Sequence, residues 1–226
     1  MKPQNIRIAV YTLATVLAAT AAFSAPDPAV VNETFAGKYR APVKTAIARP
    51  APVREYANVA VLLQSLPKDS AMRSKYPALR PHIKNWPKQR EPEEMINVKI
   101  DNAWIVAVKH EHSATGDNDF HIVVADSPAK PFNHVMNMEV AGLPKTGPDV
   151  TGLKNVRVAF LSFFTSTPPS GAFRAVKPPI HVSVEGSFYF DGEHTAGGKS
   201  DPGPAWAKPK TVWEVHPISK ITRLNP

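Results

Sequence analysis

The chain of 226 residues contains no cysteine. Without thiols there is no disulfide framework, no cysteine-ligated zinc or iron–sulfur cluster, and no cysteine nucleophile. The sequence also lacks a P-loop, a Gly-x-Ser-x-Gly nucleophile elbow and an RNP1 motif. After residue 24, no apolar run approaches the roughly 20 residues that span a bilayer. These absences leave a domain that is stabilised by its core and whose function no familiar motif defines.

The N-terminus has the pattern of a secretory signal peptide. Lys2 and Arg7 precede an uncharged apolar run at residues 8–23, and small residues surround its end. This pattern predicts a signal over residues 1–24, cleaved after Ser24, with Ala22 at the −3 position. We therefore expect a periplasmic or extracellular product that retains no membrane span after cleavage.

The positive charge of the chain, formally +8, is unevenly distributed. Residues 25–94 contain 12 basic and 7 acidic side chains, whereas residues 95–226 contain 13 and 12. Ten of the 24 prolines also lie in residues 25–94, so long helices are excluded from this segment. One short helix is expected near residues 55–66, where apolar residues at helical spacing stop before Pro67. The sequence thus predicts a basic, proline-rich arm over residues 25–94, followed by a folded domain over residues 95–226.

Two interpretations of the arm stay open. Its basic side chains are interleaved with Tyr76 and Trp86, a composition that suits binding of nucleic acid or another anionic polymer. Alternatively, the arm wraps its own domain, docking its apolar side chains while its charges stay solvated. We favour the second interpretation.

The segment from residue 95 onward is predicted to be mainly β. Runs of β-branched and aromatic residues separated by turn residues predict strands, at residues 95–112, 120–125, 132–140, 180–190 and 211–224. Residues 150–165 fit a helix or a strand equally well. Three strands, a connecting segment and two further strands is the element order of a five-stranded Greek-key OB barrel. An immunoglobulin-like sandwich is the alternative, but it requires about seven strands.

Histidines and acids are concentrated in this domain. Seven of the eight histidines follow residue 95, and several are next to acids at strand ends. Residues two apart on a strand project from the same face, so Glu214 pairs with His216 and Asp119 with His121. If these faces meet, a carboxylate–imidazole cluster results. Its candidate members are Asp119, His121, Asp191, His194, Glu214 and His216.

The C-terminal motifs resemble those of a known group. The segments FYFDGEHT and VWEVHPISKI, with Asp117, Asp119, His121 and Asp126 upstream, resemble a group of secreted or periplasmic bacterial proteins with a small OB-like domain. Endings in that group follow the pattern F-F-D-x-x-H, a loop, then E-x-H-P-V, and its activity is unassigned. The resemblance covers residues 95–224 and leaves the arm unmatched, and Ile218 replaces the usual valine. It implies that Asp191, His194, Glu214 and His216 carry the shared signature.

Three roles for the cluster follow from its chemistry. It could bind zinc or manganese and activate water against a phosphodiester. It could instead orient a polar ligand, with Trp104, Tyr189 or Trp206 available for stacking. It could also be structural, fixing loops by hydrogen bonds. Our expectation is an exported binding or envelope-associated module, the alternative being a nuclease-like, metal-dependent phosphodiester hydrolase.

Overall fold

A computed structural model describes residues 25–81, 83, 85–164, 167–194 and 203–224. The predicted signal peptide lies outside the described residues. The regular elements, in chain order, are α1 (Pro28–Val31), α2 (Ala41–Lys44), β1 (Val53–Tyr56), α3 (Val59–Ser65), α4 (Asp69–Lys75), β2 (Asn97–His110), β3 (Phe120–Ala125), β4 (Val135–Val140), α5 (Val150–Leu161), β5 (Arg174–Phe190) and β6 (Trp213–Arg223).

The six strands form one mixed sheet in the order β1-β2-β3-β4-β6-β5, with an additional pairing of β2 with β5. The pairs β1–β2 and β4–β6 are parallel, and the other pairs are antiparallel. The prediction of a mainly β fold is confirmed, and each of the five predicted strands is present. The sixth strand, β1, lies in the arm, where we expected only a helix.

The arm helix is shorter than the sequence indicated. We expected it near residues 55–66, but α3 begins at Val59, because Tyr56 belongs to β1. The side chain of Asn58 caps the helix, accepting a hydrogen bond from the Val61 amide at 3.0 Å. The helix ends just before Pro67, as predicted. The other arm helices have four to seven residues, which agrees with the high proline content.

The ambiguous segment at residues 150–165 contains the helix α5. Leu153, Val156 and Phe160 recur at intervals of three and four residues and are buried, so one stripe of the helix faces the sheet. The ring of Phe160 contacts Phe120 of β3, with centroids 5.2 Å apart. With 12 residues, α5 is the longest described helix, and none of the described helices is long and apolar enough to cross a membrane.

Strands β3 and β4 are buried on both faces. One face carries apolar side chains such as Ile122 and Met138, which belong to the main core. The other face of these strands contributes to a smaller apolar cluster. Elsewhere on the same face of the sheet, Tyr39 and Val43 of the arm pack with Tyr189 of β5. Polar side chains on this second face are therefore enclosed between the sheet and the arm.

Candidate metal centre

Strand register brings polar side chains together on the face beneath the arm. His121 of β3 lies opposite Glu139 of β4, and Asn137 of β4 lies opposite Glu214 of β6. His216 follows Glu214 by two residues and therefore projects to the same side. Three neighbouring strands thus supply one cluster.

Glu139 is the centre of this cluster. Its Oε1 lies 2.9 Å from His121 Nδ1, and its Oε2 lies 2.6 Å from His216 Nδ1. The other ring nitrogen of His121, Nε2, is 3.1 Å from Glu111 Oε2 and 3.3 Å from Asp119 Oδ1. A single carboxylate therefore joins two imidazoles from different strands.

Asn137 fixes the two glutamates. Its Nδ2 donates to Glu139 Oε1 at 3.0 Å and to Glu214 Oε1 at 2.7 Å. The second oxygen of Glu214, Oε2, is 3.7 Å from His216 Nδ1, which is beyond hydrogen-bond distance. Each glutamate thus has one oxygen held by the amide and one directed toward His216.

Several buried atoms of the cluster lack hydrogen-bond partners. They are both carboxylate oxygens of Asp119, Oδ1 of Asn137, Oε2 of Glu139, Oε2 of Glu214 and both ring nitrogens of His216. The contact between Glu139 and His216 is short but is not aligned as a hydrogen bond. Leaving a buried polar group unpaired costs about 1–3 kcal/mol, and more when the group is charged. The side chains alone do not satisfy one another.

These unpaired atoms are arranged as cation ligands. One ligand atom each from Asp119, Glu139 and His216 lie within 4.8 Å of one another, and all three residues are buried. Glu111, Asp119 and His121 form an adjoining group that shares Asp119. Carboxylate oxygens and imidazole nitrogens are ligands of zinc and manganese. The cluster could therefore hold a metal ion.

The carboxylates of the cluster have pKa values that are shifted in opposite directions. Burial alone would raise the pKa of Glu139, but the charges of His121 and His216 outweigh it and hold that pKa well below its ordinary value. Burial, together with the charge of Glu139, raises the pKa of Asp119 well above its ordinary value and also raises that of Glu214. Of Asp119, Glu139 and Glu214, Glu139 is thus the one whose pKa is lowered.

Side chains of the arm contact residues next to the cluster. Lys44 of α2 lies over the Tyr189 ring, with its nitrogen 5.6 Å from the centroid, and is paired with Asp117 at 2.5 Å. Arg90 donates to the backbone carbonyl of His216 at 3.1 Å, and the guanidinium carbon of Arg40 lies 5.0 Å from the centroid of the Tyr189 ring. Basic residues of the arm are thus used within the protein, as in the interpretation that the arm wraps its own domain.

Four of the six predicted cluster residues come together in this site, namely Asp119, His121, Glu214 and His216. Asp191 and His194 form a separate pair, joined at 2.5 Å between Oδ2 and Nδ1. Sequence analysis missed Asn137 and Glu139. Their spacing of two residues within a predicted strand was the available signal, because it matches that of Asp119 with His121.

The three residues expected to stack on a ligand have different environments. Tyr189 is fully buried, with Arg40, Lys44 and His216 around its ring. Trp104 stacks on His181 at 4.2 Å. Trp206 is 38% exposed and lies 6.1 Å from the ring of Phe132. The three rings do not form one platform.

The chain was also compared with known proteins. No family model matches it, and no curated protein shows significant similarity to it. The geometry of the cluster is therefore the basis of the functional argument.

Proposed function

We propose that the protein is an exported binding module whose OB-like β-barrel holds one divalent cation, zinc or manganese, between Asp119, Glu139 and His216. The observation that carries this proposal is the set of buried, unpaired carboxylate and imidazole atoms that face one another in the cluster. A cation bound there would give the ligand atoms of Asp119, Glu139 and His216 one shared partner.

The strand pairings support an OB-like barrel. Strands β2, β3, β4, β6 and β5 pair in sequence, and β5 pairs in turn with β2. Helix α5 lies between β4 and β5, that is, between the third and fourth of these five strands. This is the order of a Greek-key barrel of the OB type. The export signal is supported by the sequence pattern of residues 1–24, and N-terminal sequencing of the mature product tests it.

The donor set supports a transition-metal ion. Asp119 and Glu139 supply oxygen ligands and His216 supplies nitrogen, a mixture that suits zinc and manganese. A fourth ligand is available from His121 or from the free oxygen of Glu214. Asn137 would act from outside the ligand set, orienting both glutamates by hydrogen bonds.

The burial of the three ligand residues favours a cation-binding role over phosphodiester hydrolysis. A catalytic metal site keeps one coordination position open to water or substrate. Here Asp119 and Glu139 are each 1% exposed, and His216 is 0% exposed. Lys44 of the arm lies over Tyr189, whose ring contacts His216, so a phosphodiester would have to displace the arm to reach the ion. The proposed role of the cation is therefore structural: it stabilises the folded domain.

Metal titration of the stripped protein tests this function. We expect addition of zinc or manganese to raise the free energy of unfolding, by about 2.7 kcal/mol when the free ion is at 100 times its dissociation constant. Asp119→Asn is the sharpest variant, because the Asp119 oxygens make no hydrogen bond and only one ion-pair contact, 3.3 Å from His121 Nε2. It should remove the part of the metal-dependent stabilisation that the buried cation contributes, while the metal-free protein stays folded.

A matched control is Glu185→Gln, which removes an acidic side chain from the exposed pair with Lys220. This variant should bind the cation as the wild type does. The proposal fails if neither ion stabilises the wild type, or if Asp119→Asn and the wild type are stabilised equally. The same preparations should not hydrolyse a phosphodiester; metal-dependent turnover that Asp119→Asn abolishes would establish the hydrolase alternative instead.

A further inference from the structure

The tripeptide at residues 110–112 contributes to two different sites. Strand alternation sends Glu111 toward His121 in the buried cluster and His110 and His112 in the opposite direction. The backbone is fixed at this point, because the His110 amide donates to the Ser170 carbonyl at 2.7 Å and the Glu111 amide donates to the Asp119 carbonyl at 2.9 Å. The two histidines are thus held side by side at the end of β2.

Both histidines face one carboxylate. His110 Nε2 lies 2.7 Å from Glu33 Oε2, and His112 Nδ1 lies 2.6 Å from Glu33 Oε1. One ligand atom from each of the three residues lies within 4.8 Å of the others. Two imidazoles and one carboxylate are a zinc-binding set that occurs with a fourth position left for water.

Glu33 is held in place independently of the histidines. Arg157 donates to Glu33 Oε2 at 2.9 Å, and the same guanidinium donates to the Asn118 and Ala141 carbonyls at 2.9 and 3.0 Å. The Glu33 carbonyl also accepts from the Leu143 amide at 2.9 Å. Arg157 and His110 share Oε2 of Glu33, whereas the other oxygen, Oε1, faces His112. The carboxylate is thus hydrogen-bonded by a residue outside the proposed ligand set, as in many metal sites.

The two histidines differ in exposure. His110 is buried, and its ring stacks on Phe120 with centroids 4.3 Å apart. The side chain of His112 is 69% exposed. A site made from these residues would have two ligands held in place, Glu33 and His110, and one ligand at the surface, His112. A metal ion could therefore enter from solvent, and one of its coordination positions would stay accessible to water.

We propose that Glu33, His110 and His112 form a second, solvent-accessible zinc site that is separate from the buried cluster. Its ligand is the zinc ion itself, with water in the fourth position. Because Glu33 belongs to the N-terminal part of the chain and His110 to the end of β2, the ion would also connect the arm to the sheet. This proposal does not depend on the buried site.

Zinc titration of the metal-stripped full-length protein tests the second site. His112→Ala is suitable because His112 is exposed, and its melting temperature checks that the variant remains folded. We expect the variant to bind one zinc ion fewer than the wild type, or to lose at least about tenfold in affinity at this site. His134→Ala is the matched control, since His134 is also exposed and paired with a carboxylate, that of Asp126. It should bind zinc as the wild type does.

Asp119→Asn separates the two proposals. If both sites exist, the wild type binds two ions, each single variant binds one, and the double variant with His112→Ala binds none. If His112→Ala reduces zinc binding whereas Asp119→Asn does not, the exposed site stands and the buried one fails. Equal zinc stoichiometry and affinity in the wild type, His112→Ala and His134→Ala would overturn the proposal for the exposed site.

Discussion

The carboxylate of Glu94 accepts hydrogen bonds from both terminal nitrogens of the Arg40 guanidinium, at 2.7 and 2.6 Å. Neither side chain is exposed to solvent. Both residues also form hydrogen bonds with the backbone of β5. Arg40 donates to the Phe190 carbonyl at 3.3 Å, and the Phe190 amide donates to Glu94 at 2.8 Å. This buried pair therefore attaches two distant parts of the arm to one strand of the sheet.

Glu94→Gln should lower the free energy of unfolding by about 3–5 kcal/mol, because it leaves the Arg40 charge buried without its counter-ion. Denaturant unfolding of the purified protein measures the loss. Lys75→Gln, which breaks the pair between the exposed Lys75 and Glu93, is the control and should cost less than about 1 kcal/mol. Equal losses in the two variants would show that burial does not determine the strength of these pairs.

Removing the guanidinium of Arg90 should weaken the attachment of the arm to the sheet. Its guanidinium donates to the carbonyls of Val43, Ala46 and Phe188 as well as to that of His216. Arg90→Met leaves these acceptors unpaired, at about 1–3 kcal/mol for each one that water cannot reach. We expect a lower melting temperature and faster proteolysis within the arm. Lys88→Met, at an exposed neighbouring position, should behave as the wild type; equal sensitivity would contradict the role of Arg90.

Gly192 and Gly152 should respond oppositely to alanine. A Cβ on Gly192 would lie 2.0 Å from the Leu79 carbonyl oxygen and 2.8 Å from the Tyr39 hydroxyl, so the arm would have to move. We expect Gly192→Ala to destabilise the protein by about 1–3 kcal/mol. Gly152 lies in α5 with nothing within 4 Å of such a Cβ, and Gly152→Ala should stabilise by about 0.5–1 kcal/mol. Chemical denaturation distinguishes the two, and a loss in both variants would refute this contrast.

The pair of His194 and Asp191 should make stability depend on pH on the alkaline side. Burial lowers the pKa of His194, but the hydrogen bond to Asp191 and its charge outweigh this, with smaller contributions from Glu214 and Glu139, and raise the pKa from 6.5 to about 9. Because the folded-state pKa is the higher one, the stabilisation is complete below about pH 6.5 and is lost as the pH rises through about 9.

Comparing the metal-free wild type with His194→Gln measures this effect. The difference in unfolding free energy should be largest near pH 6 and should disappear above about pH 10. His181→Gln is the control, since it removes an imidazole whose partner is the uncharged Asn102 in place of a carboxylate. A difference for His194→Gln that stays constant from pH 6 to 10 would contradict the assigned pairing.

Local sequence patterns were sufficient for much of the fold. Alternation and turn residues located the five strands of the domain, and Pro67 marked the end of α3. They did not reveal β1, because a four-residue strand is short and its stability comes from pairing with residues of β2 that lie 44 positions further along the chain, Val53 with Asn97 for example. Residues 150–165 stayed ambiguous for a related reason: an apolar run becomes a helix or a strand according to the surface it packs against.

The candidate site was predictable where it depended on alternation within one strand. Glu214 with His216, and Asp119 with His121, were found in this way. The position of Glu139 between the two histidines depends on how β3, β4 and β6 are aligned, and the presence of Lys44 over the site depends on how the arm folds back. Neither alignment nor folding back is encoded in the spacing of residues along a single segment.

The distance along the chain between the arm and its attachment points has a kinetic consequence. Arg90 reaches a carbonyl 126 residues further on, and Arg40 reaches one 150 residues further on. Contacts between such distant residues form slowly, because the intervening chain must first be ordered. The arm is synthesised before the strands that it covers, so these attachments can form only once those strands have been synthesised. We therefore expect a cation to enter the cluster during folding, before the arm closes, and to exchange slowly with solvent afterwards.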